Sequence, residues 1–375
     1  MASSDLTGLH HVGLVVHDLG AAIDTFRRLG FRVGPPAYPA LPPTPGAPPE
    51  PVGAGNTHAD FPRGFVELLA FAPTDRTGPP ASAPAEQAGL PAFTSGLPAD
   101  ARLVPLAVPD AQLAAVRDGI RNTLAGLADR LGQAEGAHIL VLASADAEAT
   151  AARLDAAAVP HSGARPGQRP ITTAAGTTLA PIKYLDLLAT SGSGLLPEGR
   201  IGAAEDAPAD LLDAQLGLDH PNGATALTEA LLCVADADLD PTTERYERYL
   251  GVPAEAAGST RRFTLTHGRL TLLTPAELAR LLPGEHPKHL PTLCAYVIEV
   301  TDLPATEALL READPARPAT EEPPRKAEPK QATTEEPLRG TWLQRAATGE
   351  PFVPAAAAHG AAILFRQATT PKQAR

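Results

Sequence analysis

Four segments of the chain share one pattern: an apolar strand-like run, an aspartate, then apolar residues at helical spacing. The first is HHVGLVVHD (10–18), leading into LGAAIDTFRRLG, and the second is HILVLASAD (138–146), leading into AEATAARLDAAAV. The third is TEALLCVAD (228–236) and the fourth CAYVIEVTD (294–302), each again followed by a helical stretch. Asp18, Asp146, Asp236 and Asp302 stand where a carboxylate caps a helix by accepting from free backbone N–H groups. In the first helix Ile23, Phe26 and Leu29 recur at three-residue steps, and Gly30 can end it. Each unit closes on a terminal strand: GFVELLAF (64–71), IKYLDLLAT (182–190), GRLTLLTP (268–275) and GAAILFRQ (360–367). Shorter strands, GNTHADF (55–61) and RRFTLTH (261–267), feed them through turns at Pro62–Gly64 and His267–Gly268.

The pattern therefore predicts an α+β fold of four tandem βαβββ modules. Their expected bounds are 1–132 (with a linker helix), 133–215, 216–285 and 286–375. The linker helix covers 110–131, with Leu113, Val116, Ile120, Leu124, Leu127 and Leu131 along one side. The turn HPNGA (220–224) marks the boundary between halves, and His220 and Asn222 serve it. Residues 35–51, with nine prolines, read as an extended surface loop, and 72–99 are similarly rich in Pro, Ala and Gly. Residues 314–338 mix charge with proline and almost nothing apolar, which predicts a disordered insertion in the fourth module.

Charge narrows the partners. With 31 basic and 43 acidic side chains the formal charge is −12, which repels phosphate backbones and anionic lipid. The expected partner is a small-molecule substrate, with homodimerisation left open and neither nucleic acid nor membrane engaged. No leader-like or membrane-length apolar stretch is visible. Cys233 and Cys294 sit inside apolar runs, as reduced thiols of a cytoplasmic protein do. No G-x-S-x-G elbow, P-loop or dinucleotide fingerprint occurs, and neither cysteine has a basic sequence neighbour to activate it.

Candidate chemistry lies in the first unit. Alternation puts His11, Gly13 and Val15 on one face of the first strand and packs Val12, Leu14 and Val16 under the helix. Glu67, inside FVELLAF, is costly to bury unless paired or bound to a cation. An imidazole and a carboxylate facing one concavity are typical ligands of a divalent ion. The plain alternatives are a satisfied strand histidine and an arginine partner. His10 is expected on the helix side, and His58, on a neighbouring strand, lines the pocket or the surface.

LHHVGLVVHDLGAAIDTFRRLGF followed by GNTHADFPRGFVELLAF resembles the opening module of the vicinal oxygen chelate superfamily, and within it the glyoxalase-like proteins. That resemblance implies paired modules forming two cupped mixed sheets, one divalent metal (Zn, Ni, Mn, Co or Fe), and His11 and Glu67 as ligands. In the second unit, setting DLLAT against ELLAF puts Asp186 opposite Glu67, and a connection one residue longer puts His138 opposite His11. Tyr184 shares a strand face with Asp186 and can carry a proton. Lys183 points away from the cup. The corresponding positions in the third and fourth units read Glu229 and Thr271, then Ala295 and Ile363, so the second half is expected to be structural or a pocket wall. The implied activity is an isomerase, epimerase or glyoxalase-type lyase acting on a small hydroxy-carbonyl compound, with Glu67 and Asp186 as bases. An Fe(II) dioxygenase using His138 and a metal-free drug-binding module are the rivals.

Overall fold

A computed structural model describes residues 5–73, 96–189, 194–314 and 342–369. The expected insertion at 314–338 lies, except for Asp314, outside the described residues, as does most of 72–99.

The first unit runs β1 (Leu6–Val15), α1 (Leu19–Arg28), β2 (Ala37–Leu41), β3 (Glu50–Pro51), β4 (Ala54–Asp60) and β5 (Phe65–Phe71), with β5 returning parallel beside β1. β6 (Arg102–Pro105) adds a parallel edge to β2, and α2 (Leu113–Gln133) leads to the second unit. That unit comprises β7 (Gly136–Ser144), α3 (Ala147–Ala156), β8 (Arg165–Thr173), β9 (Gly176–Asp186) and β10 (Arg200–Glu205), followed by α4 (Ala209–Asp213). β10 lies parallel to β7, and β1 and β7 run antiparallel through the middle of the first half.

The second half repeats the plan. β11 (Ala224–Cys233), α5 (Leu239–Leu250), β12 (Glu255–Ala257), β13 (Thr260–Leu265) and β14 (Gly268–Leu273) form one unit, and α6 (Pro275–Leu281) follows. β15 (Thr292–Val300), α7 (Leu303–Glu312), β16 (Gln344–Arg345), β17 (Pro351–Val353) and β18 (Ala362–Gln367) form the next. β14 and β18 return parallel to β11 and β15, and β11 pairs antiparallel with β15. Leu293 pairs with Ala137 and Gly8 bridges to His267, joining the halves into a continuous sheet.

Helices and sheet enclose the main core. Ala22, Ile23 and Phe26 of α1 pack with Val12, Leu14, Val66 and Leu68, the face that alternation assigned. Asp18, Asp146 and Asp302 each cap their helix with a side-chain oxygen. Asp236 does not: it opens a 3₁₀ turn, and α5 begins at Leu239 without a side-chain cap. At the junction, His220 Nε2 lies 2.8 Å from the Asp60 carbonyl, and Asn222 Nδ2 donates to the carbonyl of Leu29 at the end of α1. The HPNG turn thus clamps the second half to the first.

Two expectations are corrected. The Pro-rich stretch is not wholly loop, because Tyr38, Ala40 and Leu41 are buried on β2. Pro39 is tolerated there because it contributes its carbonyl, which accepts from Val52 N–H. The strand expected to end the second unit is instead its third: IKYLD closes β9 at Asp186, and the parallel return is β10, which begins at Arg200 after thirteen intervening residues. No helix among the described residues is long and apolar enough to cross a membrane.

Candidate active site in the first cup

Two adjacent rows of residues cross the first half. His58, Glu67, Gly13, Ile139 and Arg200 stand opposite one another in the first row. Asp60, Phe65, His11, Val141, Gly202 and Asp186 form the second. One end of this face is closed by α2, whose Leu124, Leu127, Ala128 and Leu131 pack on Val15, Leu69, Phe71, Ile139 and Val141. Tyr184 packs against the same cluster.

At the other end the His11 and Glu67 side chains converge, with His11 Nε2 3.9 Å from Glu67 Oε2. Asn56 donates to the other Glu67 oxygen at 2.6 Å. The room for this carboxylate comes from Gly13: a Cβ there would stand 2.8 Å from Glu67 Oε2 and 2.9 Å from Ile139 Cβ. Gly13→Ala is therefore expected to displace Glu67 and cost about 1–3 kcal/mol by overpacking. Urea unfolding measures this, and an unchanged midpoint would show that the site has slack.

Phe65 supports the imidazoles. The His11 ring stacks on it with centroids 4.5 Å apart, and the His58 ring at 4.2 Å. The guanidinium of Arg169 lies 5.0 Å from the same ring and donates to both oxygens of Asp206 and to Asp60. Burial holds His11 well below the ordinary imidazole pKa, and His10, His58, Arg200 and Arg169 push it the same way. His11 is thus neutral at neutral pH. Burial also lowers His58, against the opposing pull of Asp60 and Glu67. Arg200 is bidentate to Asp186, at 2.8 and 3.0 Å. Burial works against its charge, but Asp186, Glu67 and Tyr184 outweigh burial and raise its pKa.

The structure brings together His11 and Glu67 of the expected residues and separates the others. Counting from Asp18 and Asp146, Ile139 takes the place of His11, and strand register gives Gly202 the place of Glu67. His138 lies on the opposite face, its Nε2 2.8 Å from the Ala134 carbonyl. Asp186 sits on the third strand of its unit, at the place His58 holds in the first, and is spoken for by Arg200. Lys183 does face outward, 3.6 Å from Glu148. His10 departs from alternation: a bulge between Leu9 and His11 swings it beside His11, Nδ1 to Nδ1 at 2.8 Å. His10, Asn56, Arg169, Arg200 and Asp206 are the site residues that sequence reasoning passed over.

In the second half, Glu229 takes the His11 position and is bound by Thr271, Arg269 and Arg366. The fourth unit offers Ala295 and, by register, Leu364 rather than Ile363. Leu278 of α6, with Leu282 just beyond it, fills this face among Leu231, Cys233, Leu273, Val297 and Phe352. Both cysteines are free and buried, and burial pushes Cys233 up to about 12 and Cys294 well above its usual value. They are packing residues.

The glyoxalase-like domain family matches residues 9–250, nearly two thirds of the chain and the whole of this site. The chain belongs to that family. It is a glyoxalase-like protein of the vicinal oxygen chelate superfamily. A hypothetical protein from Staphylococcus aureus shares its fold at 9% identity and TM-score 0.52, covering 97% of this chain and 100% of the other. A mutant 4-hydroxymandelate synthase from Streptomyces coelicolor aligns at 14% identity and TM-score 0.41, covering 82% and 75%. A xylose isomerase-like TIM barrel/4-hydroxyphenylpyruvate dioxygenase fusion protein aligns at 13% and 0.43, covering 98% and 50%. No curated protein sequence matches.

Members of the superfamily often hold a divalent metal. Here the donor set does not fit one held by the protein. His11 and Glu67 supply two donors, Ile139 and Gly202 supply none, and protein sites for first-row ions use three or four. Among the described residues no three His, Cys, Asp or Glu side chains are placed to share an ion. The row that bears Glu67 ends instead on the fixed positive charge of Arg200, which opposes a dication.

Proposed function

We propose that this glyoxalase-like protein is an isomerase, epimerase or lyase that moves a proton on a small hydroxy-carbonyl compound, with no protein-held metal in the step. The observation that carries the proposal is the row running from Glu67 through side-chain-free Gly13 to Arg200. It sets a carboxylate base and a fixed cation on one face of the sheet. Glu67, held by Asn56, takes the proton beside the carbonyl. Arg200 donates to the oxygen on which negative charge grows, the service an oxyanion hole performs. Neutral His11 exchanges a proton with the neighbouring hydroxyl. Asp186 orients Arg200 and is not itself the base.

The dioxygenase reading needs His138 as a second histidine, and that imidazole turns to Ala134. The sequestering module is the second reading, favoured by the stack of His11 and His58 on Phe65, a surface on which a planar ligand can lie.

The test is turnover of a panel of hydroxy-carbonyl compounds in deuterated water, with a chelator present, followed by mass spectrometry and an oxygen electrode. Deuterium beside the carbonyl without oxygen uptake is the expected result. Stoichiometric oxygen uptake, or activity abolished by the chelator and restored by one metal, would overturn the proposal. Tight binding without turnover would replace it with the sequestering module.

A further inference from the structure

His10 and Asp206 have no part in the reaction just described, yet His10 is buried against its centre and Asp206, half-buried, touches it. His10 Nδ1 lies 2.8 Å from His11 Nδ1, so one ring must donate and the other accept. The other nitrogen of His10, Nε2, lies 3.2 Å from Asp206 Oδ2. Asp206 is an anion across the working range. Burial would raise its pKa, but His10, Arg169 and the Ala207 N–H outweigh burial and bring it to about 2. The contact is off the line of a hydrogen bond, but at that separation the carboxylate repels a lone pair on His10 Nε2 and attracts an N–H there.

We infer that Asp206, acting through His10, fixes the tautomer of His11 and leaves the His11 Nε2 lone pair facing Glu67 and the cup. Asp206 keeps a proton on His10 Nε2, and His10 Nδ1 then accepts from His11 Nδ1–H. The only lone pair left on the His11 ring is on Nε2; Glu67 pulls the other way, but from 3.9 Å against 3.2 Å for Asp206 and with its other oxygen held by Asn56. Arg169 serves this arrangement twice, binding both Asp206 oxygens and covering Phe65, on which His11 stacks. A carboxylate, two imidazoles and a guanidinium from three separate stretches of chain thus determine which nitrogen of His11 accepts a proton. His10, Asp206 and Arg169 are positioning residues. The tautomer is a property of the free protein, while its use in proton transfer rests on the proposed function.

Long-range proton–nitrogen correlation spectra of the full chain, carrying nitrogen-15 histidine, read the tautomer without substrate. His11→Gln and His10→Gln spectra assign the two rings by loss of their signals. At pH 7.5 the expected pattern is a protonated Nδ1 and a pyridine-type, downfield Nε2 for His11, with the reverse for His10. Asp206→Asn should move His11 toward a mixture of tautomers, and His10→Leu should do the same. Asp206→Glu should restore the wild-type pattern. A wild-type His11 protonated at Nε2 would overturn the inference on that spectrum alone, whatever the variants do. It would also be overturned if Asp206→Asn folded with native amide shifts and kept the His11 tautomer. Neither outcome touches the deuterium experiment, so the two proposals fail separately.

Discussion

Replacing Arg245 with Met should cost about 3–5 kcal/mol of stability, because it strands a buried carboxylate. The Glu198 side chain is 0% exposed, and both of its oxygens accept from the Arg245 guanidinium at 2.9 Å. The Tyr246 hydroxyl donates to the same carboxylate at 2.7 Å. Burial, reinforced by the Glu198 charge, pushes the Tyr246 pKa well above its usual value, so that hydroxyl stays a donor. Glu198 lies just before β10 and Arg245 lies on α5, so the pair spans the boundary between halves. In Arg245→Met one neutral donor would face a full charge with no water to share it. The double variant Glu198→Met/Arg245→Met should recover much of the loss, since apolar side chains can replace a buried pair at little cost. Urea unfolding of wild type, both single variants and the double variant closes the cycle. An Arg245→Met loss under about 1 kcal/mol, or a double variant as unstable as the sum of the singles, would show that water or another group already serves Glu198.

What the sequence disclosed and what it hid follow from the range of the interactions involved. Helix caps are local, and three of the four aspartates cap as their position indicates. Strand alternation is local too, and it placed His11 and Glu67 correctly on the cup face. It failed at His10 because a bulge inserts one residue and breaks the period of two. In the second unit a long β8–β9 hairpin places IKYLD one strand earlier than FVELLAF stands in the first, so the two motifs are not equivalent. A legible signal for the true strand was present. Gly64 and Gly199 each precede the returning strand at positive φ, and a Cβ on either would strike a first-strand carbonyl, His10 or His138, at 2.3 Å. Reading GR at 199–200 against GF at 64–65 would have placed Arg200 opposite Phe65 and excluded Asp186 from the Glu67 position. Asp206 and Arg169 leave no such mark, because Asp206 meets His10, and Arg169 meets Asp60 and Phe65, only through the packing of one unit on the other.

Acid should unfold this protein well above the carboxylate range. Burial is the first cause that lowers the pKa of His11, His58, His138, His220 and His289. Their neutral forms are favoured in the folded state, while the unfolded chain takes up protons near 6.5. Between the two values the unfolded state binds more protons, so stability is fully present above about 6.5 and falls as pH drops toward the folded pKa. For His138 the folded value is about 4 and the ring is 1% exposed, which makes its share about 3 kcal/mol between pH 6.5 and 4. Glu285 acts in the opposite sense: burial raises its pKa, so protonation there stabilises the fold slightly over the interval above its ordinary value. Five imidazoles against one carboxylate leave a net loss on acidification. Asp206 adds its own loss only lower, between its ordinary value of 3.8 and about 2. Urea midpoints measured from pH 7.5 to 4.5 at constant ionic strength should fall steadily in the wild type. His138→Gln keeps a donor for the Ala134 carbonyl but cannot titrate, so its curve should be flatter by up to about 3 kcal/mol. Parallel curves for the two proteins would mean that His138 takes up its proton as readily in the folded state as in the unfolded chain.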